Sequence, residues 1–136
     1  MEKVFYILPG FTEDEHSRLA YKEISNILSE KGIENKIIKI TWKHKVMSDY
    51  VNEALSQIDM SKEIYLIGFS YGAFISFIIS TKINIKMQIL LSLSPYFKED
   101  LDNLKGWWKK YVGKKRIEDF NKISFNELAI VKDTEN

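Results

Sequence analysis

The sequence predicts an α/β protein in which helices cover both faces of a central parallel sheet, forming a three-layer sandwich. Short apolar runs, such as residues 4–8 and 64–67, alternate with stretches of helical spacing. Such alternation requires crossover connections, and these produce parallel strands. The runs are apolar without interruption, as expected for strands buried on both faces. A length of 136 residues, 45% of them hydrophobic and 29% charged, fits one globular domain.

The first predicted strand covers residues 4–8 and ends at Pro9-Gly10. Thr12 and Glu15 then form the pattern of a capping box, which starts a helix. The apolar positions of that helix are Ala20, Ile24, Ile27 and Leu28. Lys31-Gly32 is a typical helix end.

The next two elements are a strand and a helix. Residues 33–42 contain the second strand, with Ile37, Ile38 and Ile40 at its centre. The second helix is marked by apolar residues at helical spacing. They are Val51, Leu55 and Ile58.

Residues 64–67 are the third strand, which ends at Gly68. Residues 71–81 are apolar almost throughout and rich in β-branched side chains, so that propensity alone favours a strand. We predict a buried helix instead, because the Gly-x-Ser-x-Gly turn before it joins a strand to a helix. Residues 87–93 form a fourth strand, which is closed by Ser94-Pro95.

The pattern weakens after Pro95. Residues 101–111 and 116–122 are predicted to be helical, and residues 125–131 form a further helix or a last strand. We therefore divide the single domain, residues 1–136, into a core over residues 1–95 and a lid-like or edge-covering tail over residues 96–136.

Ser70 lies in Gly68-Phe69-Ser70-Tyr71-Gly72, between an apolar strand and an apolar helix. A serine on so sharp a turn has a strained backbone and an exposed hydroxyl, and small residues two positions before and after relieve the crowding. The turn also directs the positive end of the following helix dipole toward the hydroxyl. This arrangement predicts a nucleophile elbow.

The chain resembles the α/β hydrolases, and among them the small serine hydrolases and esterases. The resemblance lies in two segments, residues 4–11 and residues 64–73. The resemblance implies a partial α/β-hydrolase fold that reaches to about Pro95. It implies that Ser70 is the nucleophile toward a small ester or acyl substrate, with no cofactor. It also implies that Pro9-Gly10-Phe11 is the oxyanion loop and that the N–H groups of Phe11 and Tyr71 hold the oxyanion.

The catalytic base of that family is a histidine late in the chain, after the acid. The two histidines here, His16 and His44, both precede Ser70. Either is a weak substitute for the base, and Asp100 and Asp133 are weak candidates for the acid. The incomplete triad suggests a C-terminally shortened hydrolase with impaired activity. The alternative is a non-catalytic binding or assembly protein derived from one.

A shortened sheet has a further consequence at its edge. Without later strands, the apolar fourth strand becomes an open edge, which promotes association. We therefore expect either self-association through this edge or a tail that folds over it.

Residues 105–116 contain six basic residues and no acidic one, interleaved with Trp107, Trp108 and Tyr111. The simplest interpretation is a surface helix whose aromatic side chains pack on the sheet. Alternatives are a lid over an acyl pocket, contact with an anionic membrane surface and binding of single-stranded nucleic acid.

Composition excludes several other classes of function. The net charge of +1 argues against nucleic acid as a partner, and the absence of cysteine removes disulfides and thiolate metal sites. Two dispersed histidines predict no metal site. Neither a signal-peptide pattern nor an apolar run long enough for a membrane span is present, which predicts a cytoplasmic protein. A flavodoxin-like domain would share the sheet order but needs a phosphate-binding glycine loop, which is missing.

Overall fold

A computed structural model of the chain describes residues 1–11, 15–43, 46–93, 98, 101, 106, 110, 113–124 and 127, apart from the side chains of residues 15–17 and 116. The strands are β1 (Lys3–Leu8), β2 (Asn35–Ile37), β3 (Glu63–Phe69) and β4 (Met87–Leu91). The helices are α1 (Glu15–Glu30), α2 (Met47–Leu55), α3 (Tyr71–Ser80) and α4 (Lys114–Phe120).

The four strands form one parallel sheet in the order β2-β1-β3-β4. In its register, Ile7 of β1 lies beside Ile37 of β2 and Ile67 of β3, and Ile67 lies beside Ile89 of β4. The predicted α/β class is therefore confirmed. Because the strands are parallel, the segments that follow them meet at one edge of the sheet.

The main hydrophobic core lies between one face of the sheet and helices α2 and α3. Alternate residues of β1 and β3, including Leu8 and Leu66, are buried there. Every residue of α3 is buried, which explains why this helix is apolar almost all round. Its two interior serines pair with one glutamine of β4: the Ser76 hydroxyl donates to Gln88 Oε1 over 3.2 Å, and Gln88 Nε2 donates to the Ser80 hydroxyl over 3.1 Å.

Helix α1 lies on the other face, near β2. Its side chains toward the sheet are Tyr21, Ile24 and Leu28, each partly buried. The prediction that Ala20, Ile24, Ile27 and Leu28 form the apolar face of this helix was partly wrong, because Ala20 and Ile27 are exposed. An apolar residue at helical spacing is buried only where the helix meets a partner, and α1 contacts chiefly the short strand β2.

On the α1 face, the outer strand β4 exposes its apolar side chains. Met87 is 57% exposed, Ile89 44% and Leu91 45%. The part of the C-terminal region that is described packs elsewhere: Phe120 of α4 is fully buried against Phe74 of α3, and the Asp119 carboxylate accepts the Met47 N–H at the start of α2 over 2.6 Å.

Several predicted boundaries moved. β2 pairs over only three residues, although Ile38 and Ile40 are buried as expected. β4 ends at Leu91 because Ser92 has a positive φ of 54°. Lys114–Phe120 is the short helix that was predicted over residues 116–122. Thr12 and most of the elements predicted over residues 101–111 and 125–131 lie outside the described residues.

Within the described part of the chain, the helices are too short or too polar to cross a membrane.

Candidate active site

Ser70 lies at the carboxyl end of β3, where the strand turns into α3, and its side chain is exposed. Its φ of 53° and ψ of −113° are unusual for a residue with a side chain. Its N–H donates to the Leu91 carbonyl of β4 over 2.8 Å. Its carbonyl accepts the N–H groups of Ala73 and Phe74 over 3.0 and 3.2 Å, so that Ser70 is the N-cap of α3. The backbone therefore holds the strained conformation from both sides.

Two glycines allow this turn to form. A Cβ atom on Gly68 would lie 2.6 Å from the Cα of Ala73, and one on Gly72 would lie 2.2 Å from the Leu8 carbonyl oxygen. Both distances are shorter than real Cβ atoms show. The glycines thus let β1, β3 and α3 approach closely at Ser70, as the elbow motif predicts.

The loop after β1 lies against Ser70. A Cβ on Gly10 would be 3.3 Å from the Cβ of Ser70 and 3.1 Å from the Phe69 carbonyl oxygen. The Gly10 N–H donates to the hydroxyl of Tyr21 in α1 over 3.0 Å, and the Tyr21 ring packs edge-on against Phe69 at 5.1 Å. The structure therefore places the predicted oxyanion loop beside the predicted nucleophile, and Tyr21 fixes its position.

The two predicted oxyanion donors belong to residues that share a neighbour, Trp42. The indole lies edge-on to Phe11 at 5.3 Å and to Tyr71 at 5.4 Å. Phe11 is 51% exposed, whereas the Tyr71 side chain is buried. The Gly10 N–H already donates to the Tyr21 hydroxyl. The N–H of Phe11 therefore stays the predicted oxyanion donor of this loop.

Strained backbone is concentrated at this edge. Among the described residues, the non-glycine residues with positive φ are Trp42, Ser70 and Ser92, which follow β2, β3 and β4. Strain of this kind costs about 1–3 kcal/mol per residue and persists where the surroundings enforce it, often at functional sites. In the part of the chain that the structure describes, the non-glycine residues with positive φ thus all follow strands at the carboxyl edge of the sheet.

The remaining predicted residues are not brought to the site by anything described. His16 lies in α1, with its side chain outside the described part. His44, Asp100 and Asp133 lie outside the described residues, as do Trp107, Trp108 and Tyr111 of the basic segment. Their proposed roles stay predictions.

Among the described residues, the side chains whose pKa values are shifted lie at the opposite, amino-terminal end of the sheet. The Tyr65 hydroxyl donates to Glu63, which lowers the pKa of Glu63 and raises the pKa of Tyr65. Lys62 pairs with Glu34 over 2.6 Å, and this hydrogen bond raises the pKa of Lys62. These pairs fasten strand ends and are remote from Ser70.

Sequence reasoning missed two residues of the site, Tyr21 and Trp42. Tyr21 shares the helix face of Ile24 and Leu28, at offsets of three and seven residues, so that this face was readable from the sequence. Its hydrogen bond to Gly10 was not readable, because it joins two elements across a loop. Trp42 gave no local signal, since a positive φ is uncommon for tryptophan.

Replacing Tyr21 by phenylalanine is expected to slow acylation of Ser70, because the Gly10 N–H loses its acceptor while the ring stays on Phe69. Tyr6→Phe is a matched control: the Tyr6 hydroxyl accepts the Asp59 N–H over 2.8 Å at the far end of the sheet. Each change should lower the free energy of unfolding by about 1 kcal/mol. Only Tyr21→Phe should reduce the rate constant for labelling by a fluorophosphonate. Equal rates in both variants would mean that Tyr21 does not position the loop.

Comparison of the chain with models of protein families, with curated proteins and with solved structures finds no match.

Proposed function

We propose that this protein is a serine hydrolase of the α/β-hydrolase type that acts on a small ester or acyl substrate through Ser70. The observation that carries the proposal is the exposed Ser70, held at φ 53° and ψ −113° between a strand and a helix. Positive φ is uncommon for serine, and at Ser70 it coincides with two flanking glycines at which a Cβ atom would clash with the backbone. The sheet order fits a flavodoxin-like domain equally, so the support comes from the strained serine and its two glycines.

In the proposed reaction, Ser70 Oγ attacks the carbonyl carbon of the ester. Hydroxide takes the proton of the Ser70 hydroxyl, and the alcohol leaves with a proton from water as the carbon–oxygen bond breaks. Water then hydrolyses the acyl-serine, which releases the carboxylic acid and restores the Ser70 hydroxyl. The negative charge that develops on the carbonyl oxygen lies near the N-terminus of α3, which carries partial positive charge and no acidic residue in its first turn. Donors of this kind sustain part of the catalysis even where triad members are missing.

A fluorophosphonate probe tests the proposal directly. Wild-type protein should be labelled at one residue, identified by mass spectrometry as Ser70, and should hydrolyse p-nitrophenyl acetate above the blank. Ser70→Ala should lose both activities. Ser92→Ala is the matched control, because Ser92 is also an exposed serine with positive φ at the same edge, and it should keep both. Absence of labelling in folded wild-type protein would falsify the proposal.

We expect proton removal in the 136-residue chain to depend on hydroxide and not on either histidine. A histidine base gives an inflection in the rate near its pKa of about 6.5. The rate of ester hydrolysis should instead rise about tenfold per pH unit between about pH 6 and pH 9. His16→Asn and His44→Asn should leave that profile unchanged. A plateau in the profile that one of these variants removes would identify that histidine as the base.

The second candidate function is assembly without catalysis, favoured by the exposed apolar strand β4. Residues 86–92 are self-complementary: if two copies pair antiparallel about Ile89, Met87 faces Leu91 of the second copy and Lys86 faces Ser92. Strand β4 itself, Met87–Leu91, contains no charged residue and no proline of the kind that protects sheet edges. We therefore propose that the occupant of this edge is a second copy of the chain.

Sedimentation velocity over a concentration series should show a dimer, and Ile89→Lys should abolish it, since the two lysines would face each other across the two-fold axis. Met60→Lys is the control, because Met60 is similarly exposed, at 54%, but lies in the turn before β3. A wild-type protein that stays monomeric at the highest concentration contradicts self-association.

A further inference from the structure

An open groove of about 1010 Å³ lies between α1 and β2, and it is lined by four cationic side chains. These are Arg18 and Lys22 of α1 and Lys39 and Lys43 of the segment after β2. Among the described lining residues there is no carboxylate. The chain as a whole has a net charge of only +1, so this concentration of charge is local.

One carboxylate, that of Glu53, is hydrogen-bonded to a residue of the groove lining. Glu53 of α2 accepts the Thr41 N–H over 2.7 Å and the Thr41 hydroxyl over 3.1 Å. Thr41 lines the groove, but Glu53 does not. An anion in the cleft would be stabilised by several of the positive charges that line it.

The groove also adjoins the candidate active site. Pro9 and Tyr21 form part of its wall, and Tyr21 is the residue that accepts the N–H of Gly10 beside Ser70. Trp42 lines the groove as well and contacts Tyr71, the residue after the serine. A molecule whose ester lies at Ser70 could thus extend past Tyr21 into the cleft.

The groove combines charge with an apolar surface. Ile37 and the Trp42 indole line it beside the four cations. A short apolar body with an anionic end matches this lining, because the body would cover the apolar wall while the anion meets the cations. A concave cleft of this volume suits a small molecule, whereas a polymer would need an extended charged surface.

We propose that the groove between α1 and β2 binds the anionic end, a carboxylate or a phosphate, of a small-molecule substrate whose ester lies at Ser70. The inference rests on the proposed hydrolase function for the role of the anion, although anion binding itself does not depend on catalysis. Lys22 and Lys39 are the cations whose removal tests it.

The binding test uses the Ser70→Ala variant, so that no turnover interferes. Phenyl phosphate, benzoate and neutral benzyl alcohol are titrated separately, and the indole N–H resonance of Trp42, assigned with Trp42→Phe, is followed by NMR. At least one anion should give a saturable shift at concentrations where benzyl alcohol gives none. The anion that binds more tightly distinguishes a phosphate from a carboxylate ligand.

Adding Lys22→Gln and Lys39→Gln should weaken anion binding about tenfold, as expected for two exposed cations. Lys31→Gln with Lys36→Gln removes the same charge outside the groove, since neither residue lines it, and should change the dissociation constant by less than about twofold. Equal weakening in both pairs, or equal binding of benzyl alcohol, overturns the proposal.

A second measurement separates the groove from the hydrolase proposal. This measurement uses protein that retains Ser70 and compares kcat/KM for an anionic ester, mono-(4-nitrophenyl) succinate, with kcat/KM for a neutral one, 4-nitrophenyl butyrate. The ratio of the first to the second should fall about tenfold when Lys22→Gln and Lys39→Gln are introduced. Anion binding without any ester hydrolysis would support the anion site in the groove and reject the proposed hydrolase function. Hydrolysis without preference for the anionic ester, together with no anion binding, would reject the groove alone.

Discussion

Gly72→Ala is expected to lower the free energy of unfolding by about 3 kcal/mol or more, a large part of the stability of a small domain. The added Cβ would lie 2.2 Å from the Leu8 carbonyl oxygen and 2.4 Å from that of Pro9. Both atoms belong to the backbone, so neither moves aside as the end of a flexible side chain would. The clash of the added Cβ is relieved only if α3 moves away from β1, and this movement also displaces Gly10 from Ser70.

Two other glycines separate this steric effect from the general effect of replacing glycine. Gly32 has a φ of +73°, and a Cβ atom at this position would have no neighbour within 4 Å, so Gly32→Ala should cost about 1 kcal/mol through backbone strain alone. Gly106 is helical and exposed and has neither a positive φ nor a close neighbour, so Gly106→Ala should raise the free energy of unfolding by up to about 1 kcal/mol. Urea unfolding followed by circular dichroism measures all three. A Gly72→Ala protein no less stable than Gly32→Ala would show that α3 and β1 do not meet this closely.

The glycine pattern also explains which part of the fold could be predicted from the sequence. Residues 71–80 carry β-branched side chains that favour a strand, yet they form α3. The turn at Gly68 and Gly72 decided between the two, because it permits the close strand-to-helix packing that other residues would block. Here a short motif gave more information than propensity summed over the whole helix.

The surroundings of α1 could not be predicted in the same way. Apolar spacing identified the helix but not which apolar residues it buries: Ile27 is 53% exposed, whereas Tyr21 reaches the site. The difference arises because α1 packs chiefly against β2 at one side of the sheet, and that placement depends on tertiary packing. The same placement opens the cationic groove, whose four members come from two separate segments of the chain.

The strand-to-helix turn at Ser70 was predictable from the sequence, and its surroundings only partly so. Ser70 and the approach of Gly10 follow from two local motifs, each of which ends a buried strand. A general base, by contrast, is recruited by long-range folding, and neither histidine stands in a local pattern that would assign the role to it. The backbone geometry set by one loop is therefore predictable at this site, and contacts between distant segments are not.

Ser70→Gly and Ser70→Ala are expected to abolish turnover alike but to differ in stability. Both remove the hydroxyl that forms the acyl bond, so labelling by a fluorophosphonate should disappear in each, and p-nitrophenyl acetate hydrolysis should fall to the blank. Alanine keeps a Cβ at φ 53° and ψ −113° and therefore keeps the strain. Glycine adopts positive φ freely and releases it.

The strain amounts to about 1–3 kcal/mol, and the greater freedom of glycine in the unfolded chain offsets about 0.4–1 kcal/mol of that gain. Ser70→Gly should consequently be more stable than Ser70→Ala by about 1 kcal/mol, measured as the difference in free energy of unfolding in urea. The same pair of substitutions at Ser76, buried within α3, should show the opposite order, because glycine destabilises a helix interior by about 1 kcal/mol relative to alanine. If alanine is the more stable residue at both positions, the conformation of Ser70 is not strained, and the main support for a nucleophile elbow is lost. If glycine is the more stable residue at Ser70 and alanine at Ser76, the chain maintains an unfavourable backbone conformation at Ser70, as expected of a residue kept for its reactivity.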